Sequence, residues 1–455
     1  MKNKRLNDFT TGPVTKQLVL FTLPLLLSTL LQIFYNAADR AVAGLYGGEI
    51  ALAAVGSTGN ATALLLGLVN GLSAAANVVI SNFLGARREK EKQDAMHTSM
   101  LIAAVCGAFM ALVGVLLSKP ILRLMNSPED VIDGASLYMR IFLAGTPFSM
   151  IYNFGSAILR AHGDTTRPTM ILSITGILNV LFNLFFAIVC HMPVAGVALA
   201  TIIAQAVSAA WVVWILFDPK DEFKMEWKSL RFHKQHLNAI VRIGIPCGFN
   251  PVVFNLANTL LQSTINTFGA TVIAGNVAAD SINTFVYAIP SSLYTACVSF
   301  SGQCYGASKY DRLTKAIRGG MLTGGTLTVI GGVLIIAFPR VLLGFFATDP
   351  AVIDAGISKL FIMSLTILPY TCGQVLMGVL RGMRKSTGPT AINALAICLP
   401  RILWVMFIFP LNPTTLMLYL CLPISNVLDL IALAVYYSIH QRKLAAEQRQ
   451  KTLQA

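Results

Sequence analysis

The chain has 455 residues, of which 55% are hydrophobic and only 12% charged, with a mean hydropathy of +0.68. A soluble domain carries about 25% charged residues; a chain this apolar cannot clothe a globular surface, and the same numbers exclude disordered and fibrous classes. What remains is a polytopic membrane protein whose net charge of +14 belongs to its loops, and no basic run is long enough to serve nucleic acid.

Crossing a bilayer takes about 20 mostly apolar residues. The hydropathy pattern predicts twelve such helices, at 16–44, 51–82, 97–118, 137–159, 168–190, 194–217, 239–267, 272–303, 316–338, 358–380, 389–410 and 414–439. Transmembrane strands would show alternating runs of about 10 residues, and no such runs occur. The basic start Met1-Lys2-Asn3-Lys4-Arg5 leads into an apolar run, Leu18 to Ala38, long enough to be an uncleaved first span rather than a secretory signal. The seven segments expected on the cytoplasmic side hold 26 of the 34 Lys and Arg. The opposite loops are nearly free of them, Lys119, Arg123 and Arg340 excepted, and carry Glu49, Glu129, Asp133, Asp349 and Asp354. That bias predicts both termini inside the cell.

The two halves repeat at an offset of 221 residues. Gly85-Ala86 matches Gly306-Ala307, Val131-Ile132-Asp133 matches Val352-Ile353-Asp354, and Leu159-Arg160 with Pro168-Thr169 matches Leu380-Arg381 with Pro389-Thr390. Pro24 and Pro246 pair at offset 222. Six spans per half is an even number, so both halves share one orientation. The expected fold is all-α: twelve transmembrane helices in two pseudo-symmetric six-helix lobes, 1–217 and 238–440, joined by a charged linker at 218–237 and followed by a tail at 441–455. A substrate cavity is expected between such repeats, which argues for a transporter.

Three spans carry polar stripes at helical spacing. The second has Asn70, Ser73, Asn77 and Ser81; the seventh has Asn255, Asn258, Gln262 and Asn266; the eighth has Asp280, Thr284, Tyr287, Ser291, Thr295 and Ser299. Such stripes either line a wet cleft or hydrogen-bond neighbouring helices. Acids at membrane depth are costly and are candidates for function. They are Asp39, Asp280 and Asp429, with Gln32, Tyr35 and Asn36 on the face of Asp39. Asp39 and Asp280 also fall near the outer ends of their spans, where an ordinary ion pair would suffice. Arg401 is a cation at membrane depth. Asn179 and Asn183 share one face of the fifth span, with Asn153 in the fourth and Thr201 in the sixth. Carboxylate, amide and hydroxyl oxygens suit a hard cation, a protonatable Asp would use the same partners, and a neutral amide ladder would look alike.

The six histidines fall in loops or at span ends, and the eight cysteines, none in a C-x-x-C pattern, read as small buried hydrophobes. No phosphate-binding G-x-x-x-x-G-K-[ST] loop occurs. Neither an enzyme, a cofactor nor a structural metal is expected, and transport energy must come from an ion gradient or a partner.

Together these residues resemble the multidrug and toxic compound extrusion (MATE) family over nearly the whole chain. The resemblance is carried by Phe21-Thr-Leu-Pro24, Asn36-Ala-Ala-Asp39-Arg40-Ala-Val-Ala-Gly44, Asn82-Phe-Leu-Gly85-Ala86-Arg87 and Gly302-Gln303-Cys-Tyr-Gly306-Ala307. It extends through Leu159-Arg160-Ala-His-Gly163-Asp164-Thr-Thr-Arg-Pro168, Asn179-x-x-x-Asn183 and Val194-Ala-Gly196 through Thr201 to Gln205. It implies an inner-membrane antiporter, monomeric, that expels amphipathic, often cationic drugs in exchange for H⁺ or Na⁺. Asp39, Asn179, Asn183 and Thr201, with Asn153 more loosely, would form a cation site, possible for Na⁺. Some relatives have a carboxylate where this chain has Asn183, which leaves the ion open. Some place acids in the seventh and tenth spans, where this chain offers Asn258, Gln262, Tyr370 and Gln374. Cavity-lining candidates are Gln32, Tyr35, Asn36, Asn70, Asn77, Asn258, Gln262, Asp280, Tyr287 and Gln374. The alternative is a lipid-linked oligosaccharide flippase of the same superfamily.

Overall fold

The computed structural model describes residues 8–124 and 129–454. The basic residues Met1-Lys2-Asn3-Lys4-Arg5 lie outside the described residues, as do the side chains of Glu49 and Glu129. Among the described residues there is no strand, and eleven helices are long and apolar enough to cross a membrane, twelve when one bent pair counts as a single span.

The helical run Val14–Gly85 breaks at Gly48 (φ 69°, ψ −166°) into α1, Val14–Gly48, and α2, which ends at Gly85. Next come α3, Glu89–Leu124, and the bent pair α4, Val131–Ala144 with Thr146–Ala161, angled by 44°. Then follow α5, Thr166–Val189; α6, Ala195–Phe217; α7, Lys234–Phe268; and α8, Ala270–Gly306. The last four are α9, Tyr310–Ala337; α10, Pro350–Gly382; α11, Thr387–Leu411; and α12, Thr415–Leu444. The hydropathy pattern gives the fourth span as one segment, 137–159. The bend sits at Gly145-Thr146-Pro147, where Pro147 supplies no backbone N–H to continue the ladder.

The repeat is written in the backbone. Gly48 and Gly269, both at positive φ, separate the first two helices of each half. Arg87 and Ser308, each at φ 56°, end α2 and α8, and Gly163 and Arg384 end α4 and α10. The ion pairs Lys119–Asp133 (2.7 Å) and Arg340–Asp354 (3.1 Å) are repeat mates as well. All of these pairs sit 221 residues apart.

The chain forms two compact units, one containing Leu27–Gly248 and the other Phe9–Leu26 with Phe249 onward. The sequence reading assigns the whole of the first span to the first half. Packing shows why the structure divides it differently. Val14, Leu18, Phe21 and Leu25 make one face of α1, buried with Leu293, Phe300, Leu376 and Leu380 of the second unit. Phe9 lies edge-on to Phe21 at 4.9 Å and 5.1 Å from Phe300. The start of α7 belongs in turn to the first unit. A Cβ on Gly71 of α2 would lie 2.3 Å from the Gly248 nitrogen, so α2 and α7 cross backbone to backbone and only glycine fits.

The linker docks on the first unit, with Phe223 fully buried, Arg167 paired to Asp221 at 2.6 Å and Gln93 donating to the Phe223 carbonyl at 2.7 Å. The cysteines are all free; Cys190 is exposed, unlike the buried Cys247, Cys297, Cys304 and Cys421.

Candidate functional site

The first unit holds a half-open cavity of about 410 Å³. α1 contributes Gln32, Tyr35, Asn36 and Asp39, α2 contributes Thr58, Thr62 and Asn70, and α4 contributes Tyr138, Phe142 and Asn153. Asn179 of α5 and Thr201 of α6 complete its inner wall.

Asp39 sits on this wall with its carboxylate turned to α5. Asn183 Nδ2 donates to Asp39 Oδ1 at 2.5 Å and is 3.3 Å from Asn179 Oδ1. Asn179 Nδ2 donates in turn to Thr201 Oγ1 at 3.3 Å, and the Thr201 hydroxyl donates to the Val197 carbonyl at 2.9 Å. The four residues thus form one chain across three helices, made possible by the one-turn spacing of Asn179 and Asn183. Asn183 is fully buried and its Oδ1 has no hydrogen-bond partner. A buried amide oxygen left unsatisfied costs roughly 1–3 kcal/mol. The oxygens of Asp39, Asn183, Asn179 and Thr201 are those a hard monovalent ion uses.

Asn153 lines the cavity but does not join the chain; its amide donates to the Ser149 carbonyl at 2.8 Å. The Tyr35 hydroxyl donates to the Leu172 carbonyl at 2.6 Å, and its ring lies against Gly176. Gln32, Asn36 and Asn70 reach the cavity. Asn77 does not: it is 2% exposed and its Oδ1 accepts from Ser81 at 2.9 Å. The polar stripe of α2 divides at Asn70, because the residues beyond it pack against neighbours. The lining face runs the other way, through Thr58 and Thr62, whose spacing to Asn70 in steps of four could have exposed it.

In the second unit the predicted residues are bound to one another rather than gathered on one wall. Asn258 accepts from Arg401 Nη1 at 2.9 Å, and Gln262 bridges Asn266 and Asn276 at 2.9 and 3.1 Å. Asp280 is paired with Lys359 at 2.5 Å, and Lys359 also donates to Asn276. Lys359, buried and nine residues into α10, is a partner that the sequence alone does not single out, because hydropathy starts the tenth span only at 358. Tyr287 meets Tyr370 edge-on at 5.0 Å, and Gln374 is half-buried. Residues missed by sequence include Tyr138, Phe142 and Tyr152, apolar by composition and lining only through the fold.

Apolar helices of spanning length around an open cavity with polar and aromatic lining are the architecture of a polytopic membrane transport protein. The MatE family model matches residues 24–185 and 246–406, two segments that reproduce the internal repeat, and the chain belongs to this family of multidrug efflux transporters. It is 27% identical over 396 residues to the probable multidrug resistance protein YoeA of Bacillus subtilis, covering 84% of each chain. It is 22% identical over 444 residues to the multidrug export protein MepA of Staphylococcus aureus, covering 97% of this chain and 98% of that one. A solved outward-facing multidrug resistance MATE family transporter has the same fold, with a TM-score of 0.90 over 98% of this chain and 100% of that one at 20% identity.

Proposed function

We propose that the protein is a secondary antiporter of the cytoplasmic membrane that exports amphipathic, cationic small molecules in exchange for H⁺ or Na⁺. The observation that carries this reading is the Asp39–Asn183–Asn179–Thr201 chain on the wall of the cavity. A cavity of about 410 Å³ falls in the range of roughly 300–1,000 Å³ typical of small-molecule sites. Tyr35, Tyr138, Phe142 and Tyr152 give it flat aromatic surface for planar cations, and Asp39 supplies the negative charge. Drug and ion then compete for one carboxylate. The ion binds Asp39 from outside and releases the drug; loss of the ion inside restores the charge that attracts the next one. Coupling follows from differential affinity for the two conformations.

The protein works as a monomer with both termini in the cytoplasm, an orientation supported by the Lys/Arg bias. The flippase alternative has less behind it, since the relatives carry multidrug resistance names. The test is ethidium efflux from vesicles with pH and Na⁺ gradients imposed separately. One gradient should drive wild-type efflux, and Asp39→Asn should abolish it at normal expression. Undiminished gradient-driven efflux by Asp39→Asn would refute the reading.

A further inference from the structure

The second unit holds a carboxylate that the mechanism above does not use. Asp429 of α12 is 5% exposed. Its Oδ2 accepts from Asn393 Nδ2 of α11 at 3.3 Å, and its Oδ1 has no partner. One turn earlier, Asn426, 3% exposed, likewise has an Oδ1 without a partner. Two orphaned oxygens therefore lie at i and i+3 of one helix, deep in a span. Arg401 is near enough to act on Asp429 through its charge but spends its hydrogen bonds on other residues. Arg401 donates from Nε to Ser425 at 3.1 Å and from Nη1 to Asn258 at 2.9 Å, and its guanidinium stands 5.3 Å from the Phe254 ring centroid. The other titratable neighbours are Tyr370 of α10 and, beyond it, Tyr287 of α8. α10 approaches closely, because a Cβ on Gly373 would stand 3.4 Å from Asp429 Oδ2.

The repeat gives this cluster a meaning. Subtracting 221 from Asp429, Asn426, Asn393, Gly373 and Tyr370 gives Ser208, Gln205, Leu172, Tyr152 and Ser149. All five of these line the cavity of the first unit. The Asp429 cluster thus occupies, in its own unit, the place that the cavity occupies in the other. A carboxylate buried in a span without a contacting cation costs several kcal/mol if ionised.

We infer that Asp429, with Asn426 and Asn393, forms a second monovalent-cation site in the second unit, taking H⁺ or Na⁺ through the two unpartnered oxygens of α12. Asn393 holds the carboxyl in place. Its role in coupling rests on the antiport reading; the occupancy of the site does not.

The experiment is infrared difference spectroscopy of the full-length protein in liposomes, with pH steps in Na⁺-free buffer and Na⁺ steps at fixed pH. A proton site gives a buried carboxylic C=O band that Asp429→Asn removes, Asn393→Leu shifts to higher frequency, and Asp39→Asn leaves alone. A Na⁺ site gives a Na⁺-dependent carboxylate band with the same pattern of loss. Identical cation-sensitive bands in wild type and Asp429→Asn overturn the site; should that variant fail to fold, an unshifted spectrum in Asn393→Leu does so. Failure of the antiport reading shows separately, as efflux surviving in Asp39→Asn. If the site is proton-coupled, a gradient of one pH unit at zero voltage limits the drug gradient near 100-fold with two protons, falling to about 10-fold in Asp429→Asn.

Discussion

Gly176→Ala probes the cavity wall without touching a charge. The new methyl would stand 1.6 Å from Tyr35 Cζ and 2.1 Å from its Cε1 and Oη. Ordinary contact begins near 3.4 Å, so the ring must retreat by roughly 1.8 Å. The Tyr35 hydroxyl lies 2.6 Å from the Leu172 carbonyl, and a shift of that size carries it out of hydrogen-bond range. The lost bond costs about 0.5–1.5 kcal/mol and overpacking about 1–3 kcal/mol, for a total of roughly 1.5–4.5 kcal/mol. The ring's open side is the cavity, so the displaced phenol narrows the drug site. The assays are thermal unfolding in detergent and ethidium transport across a concentration series. Gly176→Ala should lower the melting temperature and raise KM. Tyr35→Phe alone should lose only the smaller hydrogen-bond share, and Gly176→Ala with Tyr35→Leu should recover stability relative to Gly176→Ala, giving a coupling of about 0.5–3 kcal/mol. Wild-type stability and transport in Gly176→Ala, or no recovery in the double variant, would refute the packing described.

Arg312 donates to the carbonyls of Phe9, Thr11 and Gly12 at 2.9, 2.9 and 3.0 Å; Arg312→Ala should cost about 2 kcal/mol after allowance for exposure and speed proteolytic cleavage near residues 8–13. His162, in the loop between α4 and α5, is buried edge-on to Phe223 at 4.8 Å, and burial, with Lys92 nearby, pushes its pKa down to about 4. The folded state therefore favours the neutral ring: its contribution is full above the unfolded value near 6.5 and is lost as pH falls from there towards 4, by up to about 3 kcal/mol. Thermal unfolding against pH should show this slope, and His162→Gln should flatten it. Asn183→Asp would set two carboxylates about 2.5 Å apart, repelling by roughly 7 kcal/mol at an effective dielectric constant of 20 if both ionised, so efflux should become Na⁺-stimulated; indifference to Na⁺ would contradict the site.

Helix number and the duplication were legible because hydropathy reads length directly and the repeat survives at turn residues. Val131-Ile132-Asp133 and Val352-Ile353-Asp354 mark the same helix start, and the structure adds Gly48 with Gly269 and Arg87 with Ser308 at the breaks between helices. Partner choice was not legible. The stripe from Asn70 to Ser81 shows that α2 has a polar face, but spacing cannot say which portion meets the cavity and which meets a helix. The passage of Phe9–Leu26 into the second unit depends on which apolar face Phe9, Leu18 and Phe21 find, and an apolar stripe is the same in either place. Asp39 with Asn179 and Asn183 was recoverable as a set only because their types suit one chemistry; the order of their hydrogen bonds needed coordinates.

The duplicated backbone carries unequal chemistry. Two hundred and twenty-one residues beyond Asp39, Asn179 and Asn183 stand Leu260, Pro400 and Trp404. Pro400 lacks a side-chain amide, and Trp404 spends its Nε1–H on the Met417 carbonyl at 2.8 Å. The second unit therefore cannot rebuild the Asp39 chain at its own equivalent place. Its buried acid lies instead on its sixth helix, where the first unit has Ser208 bonded to Thr175 at 2.9 Å. If Asp39 and Asp429 both take a small cation, as proposed above, an acid on the first helix of one half and on the last helix of the other gives the two units different ligand sets, and hence different affinities. Two unequal sites can load and empty at different stages of one cycle, whereas two equal sites would titrate together.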